Sequence, residues 1–377
     1  MIAKVYFEQS YDDFYPDRDR VYQVWAKYQQ NGGELKDYPQ TSGGIAPTMQ
    51  QQIPEIETVT RYTSFGDWTF TMTDTKMKYS GRCIIADSCF FDILLRPMLI
   101  GNAKEVLSTP MYVLISSRIA KNIGGDVIGK NFTVDNSPGR TMTIGGVFEE
   151  VPENSHSRYD VIVSMASAGR FMWEGSPTNM LGNDRYISYV KLHKGVNPLA
   201  LEEQVRTFVN SYFPPEEQQK VGLSIDFSFH KLDNLHKELP QVKRMTWILS
   251  LLAFALIFTA VMNYILIVIS SIVNRSKEVA VHKCYGASEN NIHGMMFGEA
   301  LVHIVLSLIL ALLLILAFRG TVEELLATSL DSLLLSNGSL VLLGICILVF
   351  FVSGFMPGSL YARIPVASAF RNYRENK

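Results

Sequence analysis

The sequence has no excess of charge of either sign. Lysine and arginine number 34 and aspartate and glutamate 36 among 377 residues, which gives a net charge of −2. Nucleic-acid-binding proteins normally present a basic face, so this balance gives no support for a nucleic-acid partner.

Cysteine is scarce as well. The chain has Cys83, Cys89, Cys284 and Cys346, with no CxxC pair and no spacing typical of a zinc site. Cys83 and Cys89 could form a disulfide in an oxidising compartment, but the sequence favours two small buried residues. The other two cysteines lie in or beside apolar segments.

Catalytic motifs are missing. There is no HExxH and no GxSxG, and none of the seven histidines clusters at ligand spacing. Residues 124–130 match the phosphate-loop pattern GxxxxGK, but Asn131 stands where a Mg²⁺-binding Ser or Thr is needed. The segment also follows a predicted helix and opens a predicted strand, the reverse of a phosphate loop. We therefore predict a turn there, and no free-standing enzyme, metal site or cofactor.

Hydrophobic residues are plentiful, and they concentrate after residue 244. Residues 1–244 have the pattern of a water-soluble domain, in which short strands outnumber helices and no short repeat is visible. We predict a strand-rich α+β domain over 1–244, outside the cytoplasm, and an all-α membrane domain over 245–377. The predicted strands are 20–29, 57–63, 68–73, 77–80, 83–85, 111–115, 131–134, 141–147, 159–164, 187–192 and 223–229. The predicted helices are 45–52, 87–93 (capped by Asp87), 116–122 and 197–212 (capped by Asn197).

Three apolar stretches in the second half have the length of a bilayer span, roughly 20 residues. We place these spans at about 246–273, 292–318 and 338–361. Positive charge marks cytoplasmic connections, and it is concentrated between the first two spans and in the tail. The large N-terminal domain is then expected outside. The first connection carries Arg275, Lys277 and Lys283, and the tail carries Arg363, Arg371, Arg374 and Lys377. The connection between the second and third spans carries Arg319 but also the acidic Glu323, Glu324 and Asp331.

The connection between the first two spans is the most informative polar segment. Glu278, Val281, His282 and Tyr285 share one helical face at spacings i, i+3, i+4 and i+7. Gly286 suits a helix end and Ser288 suits the cap of the next helix. We predict a short amphipathic helix at about 275–286 on the membrane surface, which ends in a sharp break before the second span. An ordinary solvated loop is the alternative.

Several motifs resemble those of the FtsX/MacB-like family of ABC transporter permeases. The segment RSKEVAVHKCYGAS at 275–288 is similar to the family's R-x-K-E-[IV]-(x)3-[KR]-x-x-G-A-[ST] signature, with Cys284 and Tyr285 at its variable positions. Three stretches before the first span resemble motifs of the MacB-like periplasmic domain, and small residues and prolines near the end resemble the close of the last span. These matches are Ser10–Pro16 with Asp19–Tyr22, Asp87–Asp92, Val151–His156 with Asp160, and Gly354, Pro357 and Pro365.

The resemblance implies a topology, because such permeases have one span, a large domain, and then three spans. Residues 1–20 hold no apolar core of a signal peptide, so either the topology is inverted or an earlier span precedes this chain. The second alternative agrees with the family architecture. The implied location is the bacterial inner membrane, multi-pass, with the large domain in the periplasm.

The resemblance also implies partners and a site. A separate ABC ATPase subunit would bind the cytoplasmic coupling helix, and a second permease chain, membrane lipid and a periplasmic adaptor or outer-membrane channel are further expected partners. The expected role is efflux or export of a periplasmic substrate. A non-transporting regulator of a periplasmic hydrolase or sensor, and a membrane-anchored receptor without an ATPase, remain alternatives. The implied ATPase-coupling residues are Arg275, Lys277, Glu278, Val281, His282, Lys283, Tyr285, Gly286, Ala287 and Ser288.

Overall fold

The computed structural model describes residues 1–348, apart from 136, 183, 327, 336–339, 342 and 346. The chain divides into two compact units. The sheet unit is Tyr11–Leu239, and the helical unit combines Met1–Ser10 with the chain from Pro240 onward.

The sheet unit is built on one 11-stranded sheet. Its strands are β1 Val21–Gln30, β2 Lys36–Tyr38, β3 Ile56–Met72, β4 Lys78–Ala86, β5 Met98–Ile100, β6 Tyr112–Ser116, β7 Asn131–Val134, β8 Ser137–Phe148, β9 Val161–Ser164, β10 Ile187–Leu192 and β11 Leu223–Lys231. The α-helices within the described residues are α1 Ile2–Gln9, α2 Ile45–Gln52, α3 Phe90–Ile93, α4 Ala103–Ser108, α5 Ser117–Ile123, α6 Ala168–Phe171, α7 Glu202–Tyr212, α8 Pro215–Val221, α9 Pro240–Cys284, α10 Glu289–Ala317, α11 Arg319–Leu326 and α12 Leu330–Leu335.

The order of strands in the sheet is β11-β1-β10-β3-β4-β9-β6-β8-β5, with β2 beside β1 and β7 between β3 and β8. Only the pairs β4–β9 and β6–β8 are parallel among the described strands. The strand-rich α+β prediction is thereby confirmed. The GxxxxGK segment lies between α5 and β7, with positive φ at Gly124, Gly125 and Gly129, so it is the predicted turn.

Four local predictions need correction. The segments 57–63 and 68–73 form one strand, β3, because the interruption is a β-bulge between Ser64 and Gly66. The segments 77–80 and 83–85 are likewise continuous in β4. Asp87 caps no helix, since its carboxylate accepts hydrogen bonds from Arg61 instead. Asn197 does cap, but it caps a 3-10 turn at Pro198–Leu201 that leads into α7.

The cysteines of the sheet unit are free. Cys83 is buried in the core, and Cys89 is half-buried with its thiol 3.1 Å from the carbonyl oxygen of Val59. Burial raises the pKa of both thiols. The pair therefore forms no disulfide in this structure, as the sequence favoured.

Among its described residues, the helical unit has two helices that are long and apolar enough to cross a membrane, Pro240–Ile267 and Asn290–Ala317. Few of their described side chains are buried, unlike those of a core helix in a soluble protein. The predicted third span, 338–361, lies largely outside the described residues.

The other described helices of this unit are short. Helix α1 packs on α9 and α12. The buried Lys4 bonds to Glu8 at 2.6 Å and to the hydroxyl of Thr328 at 2.5 Å, which ties α1 to the turn before α12.

The first span and the predicted surface helix form one helix. The 45 residues of α9 run without interruption from Pro240 to Cys284. Residues 275–284 are helical as predicted, but they continue the first span and do not form a short helix of their own. Arg275 marks a change in polarity, but no glycine or proline interrupts the sequence between Pro240 and Cys284, so nothing there breaks a helix.

Candidate functional site

The end of α9 is a Schellman motif centred on Gly286. The amide of Ala287 donates to the carbonyl of His282 at 3.0 Å, and the amide of Gly286 donates to the carbonyl of Lys283 at 3.0 Å. These are the two bonds that define the motif. Gly286 has φ +90°, a left-handed conformation that suits glycine. The predicted helix end at Gly286 is thus present.

The next helix, α10, starts at Glu289, three residues after Gly286. Ser288 is extended, and its hydroxyl accepts a bond from the amide of Asn291 at 3.4 Å. This is the predicted cap. Together the two motifs turn the chain sharply between α9 and α10.

The predicted polar face is exposed. Glu278, Val281, His282 and Tyr285 are all exposed, and Tyr285 is 89% exposed. Val279 and Ala280, on the opposite side, are 1% and 2% exposed. The last turns of α9 therefore present one face with a carboxylate, an imidazole, an aliphatic group and an aromatic ring.

The remaining predicted residues flank this face. Lys283 and Ala287 are half-buried and Ser288 is exposed. Arg275 and Lys277 lie in α9 by their backbone, and their side chains are outside the described part of the structure. We call Glu278, Val281, His282, Tyr285 and the turn at Gly286 the α9 end face.

A second constellation lies in the sheet unit, where sequence reasoning assigned no role. Asp12 is fully buried and adopts φ +62°. Its carboxylate lies 2.8 Å from His156 Nδ1, and it accepts bonds of 3.2 Å from the His156 amide and the Ser155 hydroxyl. The side chain of Asp12 therefore ties the start of the sheet unit to residues 155 and 156.

This network continues into the sheet. His156 Nε2 is 2.5 Å from the hydroxyl of Tyr189, and the neighbouring Ser157 bonds to Tyr62 at 2.7 Å. Burial raises the pKa of Tyr62 to about 12 and that of Tyr189 well above its usual range. Both tyrosines therefore remain protonated. Two motifs that resemble the family's, at 10–16 and 151–156, thus meet at one buried polar cluster.

A charged cavity of about 470 Å³ lies beside the 151–156 loop. Within it Arg118 bonds to Asp160 at 2.6 Å and approaches Glu150 at 3.4 Å. Its lining is Asp67, Arg82, Arg118, Glu150, Val151, Glu153, Arg158, Tyr159 and Asp160. Four acids face three arginines, so the lining selects for neither anions nor cations. The described residues hold no cluster of His, Cys, Asp and Glu that could bind a metal ion.

Comparison with known proteins identifies the family. Residues 1–208 match the model of the MacB-like periplasmic core domain, and residues 250–366 match that of the FtsX-like permease C-terminal domain. The chain therefore belongs to the FtsX/MacB-like permease family, as the motifs indicated. Permeases of this family are membrane subunits of ABC-type systems and typically work with an ATPase.

Solved structures of permease and transporter domains are similar to part of this chain. A domain of a putative permease protein from Porphyromonas gingivalis is 33% identical over 58% of this chain and 91% of that chain, with a TM-score of 0.53. The periplasmic region of MacB from Actinobacillus actinomycetemcomitans is 14% identical over 55% of this chain and 87% of that chain, with a TM-score of 0.38. The extracellular domain of the noncanonical ABC-type transporter YknZ from Gram-positive bacteria is 11% identical over 54% of this chain and 98% of that chain, also with a TM-score of 0.38. No curated protein sequence matches the chain.

Proposed function

We propose that this chain is the permease subunit of an ABC transporter and transmits the movement of a cytoplasmic ATPase to a periplasmic domain. It lies in the bacterial inner membrane as a multi-pass protein. Residues 1–244 form the periplasmic domain, and 245–377 form the permease domain with spans near 246–273, 292–318 and 338–361. The work done is efflux or export of a periplasmic substrate.

The continuity of α9 is the observation that carries this proposal. Its 45 residues give a length of about 67 Å, whereas a bilayer's hydrocarbon core is about 30 Å thick. The helix therefore extends well beyond one membrane span. One rigid element joins the α9 end face to Pro240, where the chain leaves the sheet unit. A force applied at the end face would reach the other end of α9 without crossing a flexible joint.

The α9 end face is the proposed binding site of the ATPase subunit. Its carboxylate, imidazole and aromatic ring are exposed on one side, and aromatic groups are common anchors of protein interfaces. Lys277 and Glu278 orient the helix at the contact, while Gly286 allows its sharp end. Arg275, Lys283, Ala287 and Ser288 complete the site. A second permease chain completes the transporter.

A pull-down from the native host tests the proposal. The detergent-solubilised permease is compared with its variant Glu278→Lys/Tyr285→Ala. Recovery of an ATPase subunit with the wild type and its loss with the variant are the expected results. Asn290→Ala is the matched control, because Asn290 is exposed in the first turn of α10 but outside the proposed site.

The other outcomes separate the alternatives. An ATPase recovered equally with both proteins would remove the α9 end face from the mechanism. No ATPase with either protein would favour the membrane-anchored receptor. The regulator is distinguished by what else co-purifies, since a periplasmic hydrolase or sensor favours regulation and a periplasmic adaptor favours export.

A further inference from the structure

The chain enters and leaves the sheet unit through two short segments. The incoming segment is residues 11–19 and the outgoing segment is residues 232–239, which ends at the start of α9. Six side chains, three from each segment, form contacts that join the two segments. We call them the base clamp: Tyr11, Asp13, Arg18, Asp233, His236 and Lys237.

Four of these side chains form a closed ring of alternating charge. Within the segments, Arg18 lies 3.1 Å from Asp13, and Lys237 lies 2.9 Å from Asp233. Between the segments, Arg18 lies 3.6 Å from Asp233, and Lys237 lies 3.6 Å from Asp13. Each charge therefore has two opposite neighbours. Burial opposes ionisation of Asp233, but the bond from Lys237 and the nearby Arg18 outweigh it, so its pKa is lowered.

An aromatic pair adds a second tie. The rings of Tyr11 and His236 stack with their centroids 3.3 Å apart and their planes 3° from parallel. Tyr11 directly precedes Asp12, whose carboxylate is fixed in the buried cluster with His156. The stacked pair therefore attaches the outgoing segment to a point that the core already holds.

Both segments are also anchored in the same hydrophobic cluster. Tyr15 of the incoming segment is 2% exposed and Leu232 of the outgoing segment is fully buried, and both belong to the cluster around Tyr62 and Tyr189. Beyond Leu232 the outgoing segment continues as turns, with the amide of Glu238 bonded to the carbonyl of Asn234 at 2.9 Å. Neither segment is a free tether.

We propose that the base clamp makes the incoming and outgoing segments move as one body, so that helices α1 and α9 act on the sheet unit together. The six residues position the two segments so that movement of the helices reaches the sheet unit. This inference rests on the proposed function, in which the permease transmits the movement of an ATPase. Helices α1 and α9 also pack on each other within the helical unit. Without the clamp, movement of either helix would be absorbed by its own segment.

Hydrogen exchange of the full chain in detergent tests the clamp without any partner. In Asp13→Asn/Asp233→Asn, we expect the amides of residues 235–239 to exchange roughly tenfold faster, because two cross-segment ion pairs are lost. The amides of β3 and β4 should be unchanged. Asp37→Asn/Asp74→Asn, at exposed sites elsewhere in the sheet unit, is the control. Unchanged exchange at 235–239 would overturn the clamp.

Cross-linking tests transmission. Tyr11→Cys and His236→Cys are joined by a short bis-thiol reagent in a chain with Cys89, Cys284 and Cys346 changed to serine. In the permease–ATPase complex, we expect ATP to change hydrogen exchange in the sheet unit of the wild type. The response should be lost in Asp13→Asn/Asp233→Asn and restored when that variant is cross-linked.

The outcomes separate the two proposals. Loss of the ATP response on cross-linking the otherwise wild-type chain would show that the segments must separate, and it would overturn the inference. Failure to recover any ATPase would overturn the proposed function, while the exchange experiment on the permease alone still decides whether the clamp exists. A merely structural role would not give rescue by the cross-link.

Discussion

Removing the charge of Asp12 should strongly destabilise the sheet unit. Asp12 is 0% exposed, and its carboxylate meets a ring nitrogen at 2.8 Å and two further donors at 3.2 Å. Leaving buried donors without their carboxylate acceptor typically costs about 3 kcal/mol. Asparagine has nearly the same side-chain shape as aspartate and tolerates the φ of +62°. Asp12→Asn therefore removes the carboxylate without straining the backbone.

The expected change is measurable by thermal unfolding of the full chain in detergent. For a unit of this size, about 3 kcal/mol corresponds to a fall of about 6–12 °C in melting temperature. Asp12→Ala should fall further, since alanine at positive φ costs about 1–2 kcal/mol more. Asp135→Asn is the control, because this carboxylate pairs with Lys78 at the surface and should leave the melting temperature unchanged. Equal behaviour of Asp12→Asn and the control would refute the reasoning.

Four further predictions follow from other parts of the structure. Gly286→Ala should reduce ATPase recovery, because alanine strains the Schellman motif by about 1–2 kcal/mol, whereas Gly286→Asn, which tolerates this conformation, should retain it in the same pull-down. Insertion of two alanines after Asn274 should abolish recovery and four should largely preserve it, since each residue turns the α9 end face by about 100°. In a chain with Cys89 and Cys346 changed to serine, a membrane-impermeant maleimide should label the exposed Cys284 in inverted vesicles but not in intact cells, which mass spectrometry would measure. Labelling in intact cells only would show that the topology is the inverse of the proposed one. A hydrogen bond from Lys191 lowers the pKa of Asp17. The ionised carboxylate therefore stabilises the fold above its usual pKa, and this contribution is lost as the pH falls through the lowered pKa. In urea unfolding between pH 5 and pH 2, Asp17→Asn should therefore lose less stability than the wild type.

Local features of this chain could be predicted from its sequence because their causes are local. Asn197 and Ser288 bond to amides two or three residues away, so their capping depends on a few neighbouring residues. Gly286 ends α9 for the same kind of reason. The shared face of Glu278 and Tyr285 follows from helical periodicity alone.

The buried cluster could not be predicted, because its members are distant in sequence. Asp12 and His156 are 144 residues apart, and no spacing rule brings them together. Asp87 has the right type of side chain for a cap, but Arg61 on β3 binds it instead. The bulge in β3 has the composition of a loop. It is part of the strand because β4 pairs with the residues of β3 on both sides of the bulge.

The continuity of α9 has a functional consequence. A separate surface helix would meet the first span at a joint, and part of any movement at the ATPase contact would be lost in bending that joint. In the structure, the change from apolar to polar residues near Arg275 occurs within one helix, so the position of the membrane boundary and the end of the helix are set independently. Hydrophobicity determines the first and Gly286 determines the second. Under the proposed function, this separation lets one rigid helix extend past the membrane to the site proposed for the ATPase.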